Sequence, residues 1–166
     1  MPMNLQACID RFEILDLMAR YTLTIDAHDP TGWAATFTDS GAFQMGQTQI
    51  IGREKLAAYA QVHAQLGTRH ITASPLFEIS DDGLSAKGQC TTVVTVATRN
   101  GYRVIMTGLY KDTFAKQNGL WLIQRRCADA EKLPEDPGFP VLTSDPATKK
   151  YVDTLLDAWS SLSVAV

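Results

Sequence analysis

The chain has 166 residues and a formal net charge of −3, and 45% of its residues are hydrophobic. This length suits one domain that buries its own core, and an acidic chain without long Lys/Arg runs predicts no nucleic-acid partner. Three scattered cysteines predict no disulfide framework or zinc site, and no apolar stretch reaches the roughly 18 residues of a membrane span. We therefore expect a cytoplasmic protein with reduced thiols and no membrane partner.

The N-terminal part of the chain has helical periodicity. Apolar residues recur at steps of three to five between Ile9 and Ile25, a spacing that predicts a long amphipathic helix, which Asp29-Pro30 ends. Trp33 and Phe37 are four residues apart, as expected for one face of a short second helix. The predicted elements of this part are helices over 9–25, 31–38 and 53–66, with short strands at 41–45 and around residues 50–51.

The second half of the chain is rich in Thr, Val, Ile and Tyr, which favour strands. Turn signals with Asp-Gly or Asn-Gly separate four such segments, so we expect an antiparallel meander. Two segments exceed the usual strand length, and Gly88 and Gly108 are candidate bulge or bend positions for a strongly curved sheet. The predicted strands are 70–79, 85–98, 102–114 and 120–127.

Helices followed by a long bent sheet predict an α+β domain that encloses a pocket. We expect the cone-shaped domain to cover 1–133, and a Pro-rich loop with a C-terminal helix over 148–162 to form an extension of it, 134–166. That helix either closes the pocket mouth or crosses to a partner subunit. Val94, Val96 and Ile105 are expected on the outer face of the sheet, where their burial would need a homodimer or homotrimer.

Asp26 and His70 are the candidate pair for chemistry. A carboxylate that orients a neutral imidazole gives a general base that works near neutral pH. The two residues are 44 positions apart, so their meeting depends on the fold, and each alone has an ordinary structural reading as turn chemistry or a strand-start histidine.

Other polar residues give weaker signals. His63 is expected on a solvated helix face, and His28 is expected near the rim. A metal site made of Asp26, His28 and Asp29 would crowd three ligands into one turn, so no metal is predicted. The chain also lacks a phosphate-cradling glycine loop or dinucleotide fingerprint, and we expect no cofactor.

Several motifs resemble those of one superfamily. They are Arg20-Tyr21-x4-Asp26-x2-Asp29, Trp33-x3-Phe37, Arg69-His70, Gly108-x-Tyr110-x-Asp112, Asn118-Gly119-x-Trp121 and Arg126-Cys127-Ala128-Asp129-Ala130-Glu131. With the order of elements, they look like the cone-shaped nuclear transport factor 2-like superfamily. More narrowly, they resemble its SnoaL-like branch of polyketide cyclases, scytalone dehydratase, bile-acid dehydratase and lindane dehydrochlorinase. The similarity covers about residues 5–131.

The resemblance implies roles for four residues. His70 would be the base, and Asp26 would hold its imidazole in the right tautomer. Arg126 would bind a leaving group or oxyanion, and Tyr21 would hydrogen-bond a substrate carbonyl. Scytalone dehydratase-like sites have a second histidine deep in the sheet, whereas this chain has none after His70. That departure argues against the same two-histidine dehydration.

The sequence thus predicts a cofactor-independent lyase or isomerase. Its substrate would be a small apolar ring compound, aromatic or steroid-like, with an acidic C–H; elimination, isomerisation and cyclisation remain open. The alternative is a non-catalytic ligand-binding or subunit-assembly domain, resembling the small subunit of ring-hydroxylating dioxygenases.

Overall fold

The computed structural model describes residues 5–98, 101–131 and 146–166. The helices are α1 (Leu5–Asp26), α2 (Pro30–Ala35), α3 (Arg53–His63) and α4 (Pro146–Leu162), with a 3₁₀ turn at Ala64–Leu66. The strands are β1 (Phe37–Met45), β2 (Thr48–Ile51), β3 (Thr68–Ile79), β4 (Ser85–Thr98), β5 (Gly101–Gln117), β6 (Leu120–Ala130) and β7 (Val164–Ala165).

One sheet carries all the described strands, in the order β3-β4-β5-β6-β1-β2-β7. Its neighbours pair antiparallel except β1 and β6, which are parallel. The sheet is curled and unclosed, and the helices pack against it around one main hydrophobic core. The predicted α+β class, the mostly antiparallel curved sheet and the C-terminal helix are confirmed.

The second helix is shorter than the predicted 31–38. It begins after Asp29, whose side chain accepts a 2.8 Å hydrogen bond from the Gly32 amide, and it ends at Ala35. Phe37 instead opens β1, opposite Ile123 of β6. Sheet pairing outweighs the local helical spacing here, although the rings of Trp33 and Phe37 still pack with centroids 5.1 Å apart.

Gly88 and Gly108, the candidate bulge or bend positions, are not at the register shifts of the sheet. The β3–β4 register shifts between Ala73 and Leu76, the β4–β5 register between Val94 and Thr95, and the β5–β6 register between Thr113 and Phe114. A Cβ on Gly88 would lie 2.5 Å from the Phe77 ring, and one on Gly108 would clash with the backbone of β6. Both positions therefore need glycine for close packing.

The prediction that Val94 and Val96 lie on the outer face of the sheet was wrong. Val94 and Val96 are 4% and 2% exposed in the single chain, and Val96 packs with Val152 of α4 and with Ile105. Strand alternation defines two faces but not which of them is concave. A homodimer or homotrimer stays a prediction.

The helices in the described parts of the chain lack the combined length and apolar character needed to cross a membrane. The cytoplasmic location stays a prediction.

Candidate active site

A cavity opens between the concave side of the sheet and the helices. It has about 850 Å³ of empty space, its open mouth included, and its walls are mostly aromatic and aliphatic. The side chains with polar atoms among its lining include Tyr21, Tyr59, His63, His70 and Tyr110. An apolar pocket with a few converging polar groups is the usual form of a small-molecule site.

Asp26 and His70 meet at one end of this cavity. Asp26 is the last residue of α1 and His70 lies near the start of β3, so the helix end and the strand start are adjacent. His70 Nδ1 is 2.7 Å from Asp26 Oδ1, and the His70 amide donates to Asp26 Oδ2 at 2.9 Å. Arg69 fixes the same helix end by donating to the Asp26 carbonyl oxygen at 2.6 Å. The fold therefore brings the two residues of the candidate pair into hydrogen-bond contact.

This geometry selects one tautomer of His70. An ionised carboxylate only accepts hydrogen bonds, so Nδ1 of the neutral imidazole carries the proton and donates it to Asp26. Nε2 then holds the free lone pair. The side chains of His70 and Asp26 are only 7% and 11% exposed, and His70 lines the cavity. The pair therefore places a largely buried imidazole, held by a carboxylate, at the cavity.

Tyr21 lies on α1, one and a half turns before Asp26, and lines the same cavity. Burial raises the pKa of the Tyr21 phenol well above its ordinary value, the neighbouring Tyr110 adds to the rise, and the positive charge of Arg126 opposes it. The phenol therefore stays protonated, and Arg126 and Tyr110 are its neighbouring hydrogen-bonding groups.

Arg126 lies behind the cavity wall. Its guanidinium is fully buried, donates from Nε and Nη2 to the two carboxylate oxygens of Asp112 at 2.8 and 2.7 Å, and is not among the lining groups. Its Cζ is 4.0 and 4.3 Å from the ring centroids of Tyr21 and Tyr110. Although burial alone would lower the pKa of Arg126, Asp112 raises it above the ordinary value. Arg126 is thus a permanent cation next to Tyr21, and the geometry does not favour direct contact with a leaving group.

His63 was wrongly expected on a solvated helix face. It is only 9% exposed, lines the cavity, and its ring centroid is 5.5 Å from that of His70. Its spacing from Leu56, Tyr59 and Ala60, which form the buried face of α3, is the signal that could have identified it.

The region around His28 holds no metal cluster. His28 is exposed, Asp29 caps α2, and among the described residues no group of three His, Cys, Asp or Glu side chains could hold a metal ion.

Helix α4 completes one wall of the cavity. Four of its residues line the space: Val152, Leu155, Leu156 and Trp159. The Trp159 indole donates to Thr48 Oγ1 at 2.9 Å, and β7 directly after the helix pairs with β2. The C-terminal segment therefore closes the cavity of its own chain.

Comparison with known proteins agrees with this architecture. The SnoaL-like domain model matches residues 6–127. The structure of Rv3472(D26N), a function unknown protein from Mycobacterium tuberculosis, is 36% identical over 100% of this chain and 99% of that chain, with a TM-score of 0.89. No curated protein matches the chain.

Two structures from Novosphingobium aromaticivorans share the fold alone. A putative scytalone dehydratase is 17% identical over 76% of this chain and 87% of that chain, with a TM-score of 0.67. The β subunit of a putative aromatic-ring-hydroxylating dioxygenase is 19% identical over 76% and 92%, also with a TM-score of 0.67. The chain belongs to the SnoaL-like domain family and has the nuclear transport factor 2-like fold.

Proposed function

We propose that the protein is a cofactor-independent lyase or isomerase that removes a proton from an acidic C–H of a small, mostly apolar ring compound. The observation that supports this most is the contact of both Asp26 carboxylate oxygens with His70, which lines an apolar cavity. A buried carboxylate that fixes an imidazole, with the other nitrogen left free, is the arrangement that general-base catalysis needs.

In the proposed reaction, Nε2 of His70 takes the substrate proton and the imidazole becomes an imidazolium. Asp26 holds the ring in place and stabilises the new positive charge across the 2.7 Å contact. The electron pair of the broken C–H bond moves into an adjacent carbonyl, and the Tyr21 phenol donates a hydrogen bond to the developing oxyanion.

We assign Arg126 a positioning role in this reaction. Its charge lowers the cost of negative charge near the Tyr21 ring, which lies 4.0 Å from the guanidinium carbon. Asp112 holds the guanidinium in this position through two hydrogen bonds.

In the second half of the reaction, the proton held by His70 returns to a different carbon in an isomerisation, or a leaving group departs in an elimination.

The alternative is a non-catalytic ligand-binding or subunit-assembly domain. The fold that this chain shares with the dioxygenase β subunit supports it, since one fold serves unrelated roles. A scaffold has no need for a buried histidine fixed by a carboxylate, and for that reason we prefer the enzyme.

The test is exchange of an acidic C–H with solvent, because it requires proton abstraction but no knowledge of the natural product. A bicyclic ketone such as 2-tetralone in D₂O is followed by proton NMR. We expect the protein to accelerate deuterium incorporation and His70→Gln to lower the rate by about 10²- to 10⁴-fold, the usual value of a general base.

The matched control is His28→Asn, which removes an exposed histidine that does not line the cavity. Asparagine tolerates the left-handed backbone at this position, where φ is 60°. Exchange that is equally fast in the wild type and in His70→Gln would reject His70 as the base. Ligand binding without any exchange across a panel of ring ketones would favour the scaffold.

A further inference from the structure

His63 is a second imidazole in the cavity that the proposed proton transfer leaves unused. It is the last residue of α3, and its ring is 5.5 Å from that of His70 and 6.1 Å from that of Tyr59, measured between centroids. Each oxygen of the Asp26 carboxylate forms a hydrogen bond with His70. Asp26 therefore orients His70 and not His63.

Among the described residues, the buried Nδ1 atom of His63 has no hydrogen-bond partner. A buried polar atom left without a partner costs about 1–3 kcal/mol, so such atoms are uncommon unless they serve a function. Among the described residues that line the cavity, Trp33 also has a buried polar atom without a hydrogen-bond partner, its indole Nε1. Both unpaired atoms thus belong to residues of one ligand space.

His63 is also held in its uncharged form. Burial lowers the pKa of His63 to about 3, and the nearby His70 contributes to the shift. An uncharged imidazole has one N–H donor and one acceptor nitrogen, whichever tautomer is present. It suits a hydroxyl or carbonyl oxygen of an otherwise apolar molecule, because neither partner then carries a net charge into the cavity.

From this geometry we infer that His63 is a substrate-binding residue that hydrogen-bonds a hydroxyl or carbonyl oxygen on the ring system whose proton His70 removes. The inference rests on the proposed function and narrows its substrate class to oxygenated aromatic or polycyclic compounds. One small molecule reaches both imidazoles, because their rings are 5.5 Å apart on the same cavity wall. His70 then selects the reacting carbon, and His63 sets the orientation of the ring.

The binding test uses two probes that differ by one hydroxyl, 2-naphthol and naphthalene. Calorimetric titration gives the ratio of their dissociation constants for the wild type, His63→Leu and His63→Gln. We expect His63→Leu to lower the preference for 2-naphthol by about 3- to 10-fold, the usual worth of one net hydrogen bond. His63→Gln keeps a donor and an acceptor and should retain most of the preference.

The controls are Tyr59→Phe and His70→Gln, which remove the polar atoms of the two neighbouring rings. If the ratio of the two dissociation constants in His63→Leu stays within twofold of the wild-type ratio, the inference is overturned. A lower ratio in Tyr59→Phe or His70→Gln would then show that the hydroxyl binds at that residue. Failure of the wild type to bind both probes would overturn it as well. If His63→Leu does not fold, His63→Phe replaces it, and a 3- to 10-fold lower preference supports the inference whereas a preference within twofold of wild type overturns it.

The exchange assay separates this inference from the proposed function. With 2-tetralone we expect His63→Leu to raise KM several-fold and to retain most of kcat, whereas His70→Gln loses kcat. If His70→Gln has no effect on exchange and His63→Leu still lowers the naphthol preference, the base is wrong and the binding role stands. Loss of kcat in His63→Leu with unchanged KM and unchanged preference would reject the binding role alone.

Discussion

Replacing Asp26 with asparagine should reverse the tautomer of His70. The carboxylate now accepts two hydrogen bonds from that residue, one from Nδ1 and one from the backbone amide. The amide N–H is an obligatory donor, so the single oxygen of an asparagine must face it. The asparagine NH₂ group then faces Nδ1, which has to become an acceptor, and the proton moves to Nε2.

The reversed tautomer has no free lone pair towards the cavity. We therefore expect Asp26→Asn to lose about 10²- to 10⁴-fold in the exchange rate, as for removal of a general base. Because both hydrogen bonds persist but no longer involve a charged carboxylate, the free energy of unfolding should fall by about 1–3 kcal/mol, which leaves a domain of this size folded. The effect on the rate thus far exceeds the effect on stability.

The tautomer is measured directly by ¹⁵N NMR of histidine-labelled protein, without any substrate. Spectra of His70→Gln assign the His70 signals. The wild type should show the Nδ1–H form and Asp26→Asn the Nε2–H form. An Nδ1–H tautomer in both proteins would refute the reasoning from the two hydrogen bonds, and a wild-type exchange rate in the variant would refute the role of Asp26.

Three further results are expected. Asp112→Asn should lower the free energy of unfolding by about 3–5 kcal/mol, because it leaves the buried guanidinium of Arg126 without its charged partner. The control is Asp153→Asn in the exposed pair with Lys149, which should cost less than about 1 kcal/mol. Urea unfolding measures both changes. Between pH 6.5 and about pH 3, His63 is protonated in the unfolded chain but not in the folded chain, so the free energy of unfolding decreases as the pH is lowered through this window. In His63→Leu this decrease should be smaller by up to about 1.4 kcal/mol per pH unit. Equal slopes in the two proteins would contradict the buried neutral histidine. Trp159→Ala should weaken 2-naphthol binding at least threefold, because the indole closes the cavity and bonds Thr48; an unchanged affinity in titration would show that α4 is not part of the ligand site.

The sequence alone was sufficient for the order of the main helices and strands and for naming Asp26 and His70 as the candidate pair. Periodicity near 3.6 from Ile9 to Ile25 and the Asn-Gly turns are local signals, and both the long helix and the meander follow from them. The pairing of Asp26 with His70 was a hypothesis from their chemistry and from the resemblance. Only the fold could bring residues 44 positions apart into contact.

Tertiary packing decided which side each residue faces. His63 turned inward because α3 buries the face that also carries Leu56 and Tyr59, and Val94 turned inward because its face of β4 became the concave one. Arg126 was placed behind the wall by Asp112, its neighbour across the β5–β6 pairing. Spacing fixes which residues share a face, but the direction of the curl and the helices packed against it decide whether that face meets solvent, core or cavity.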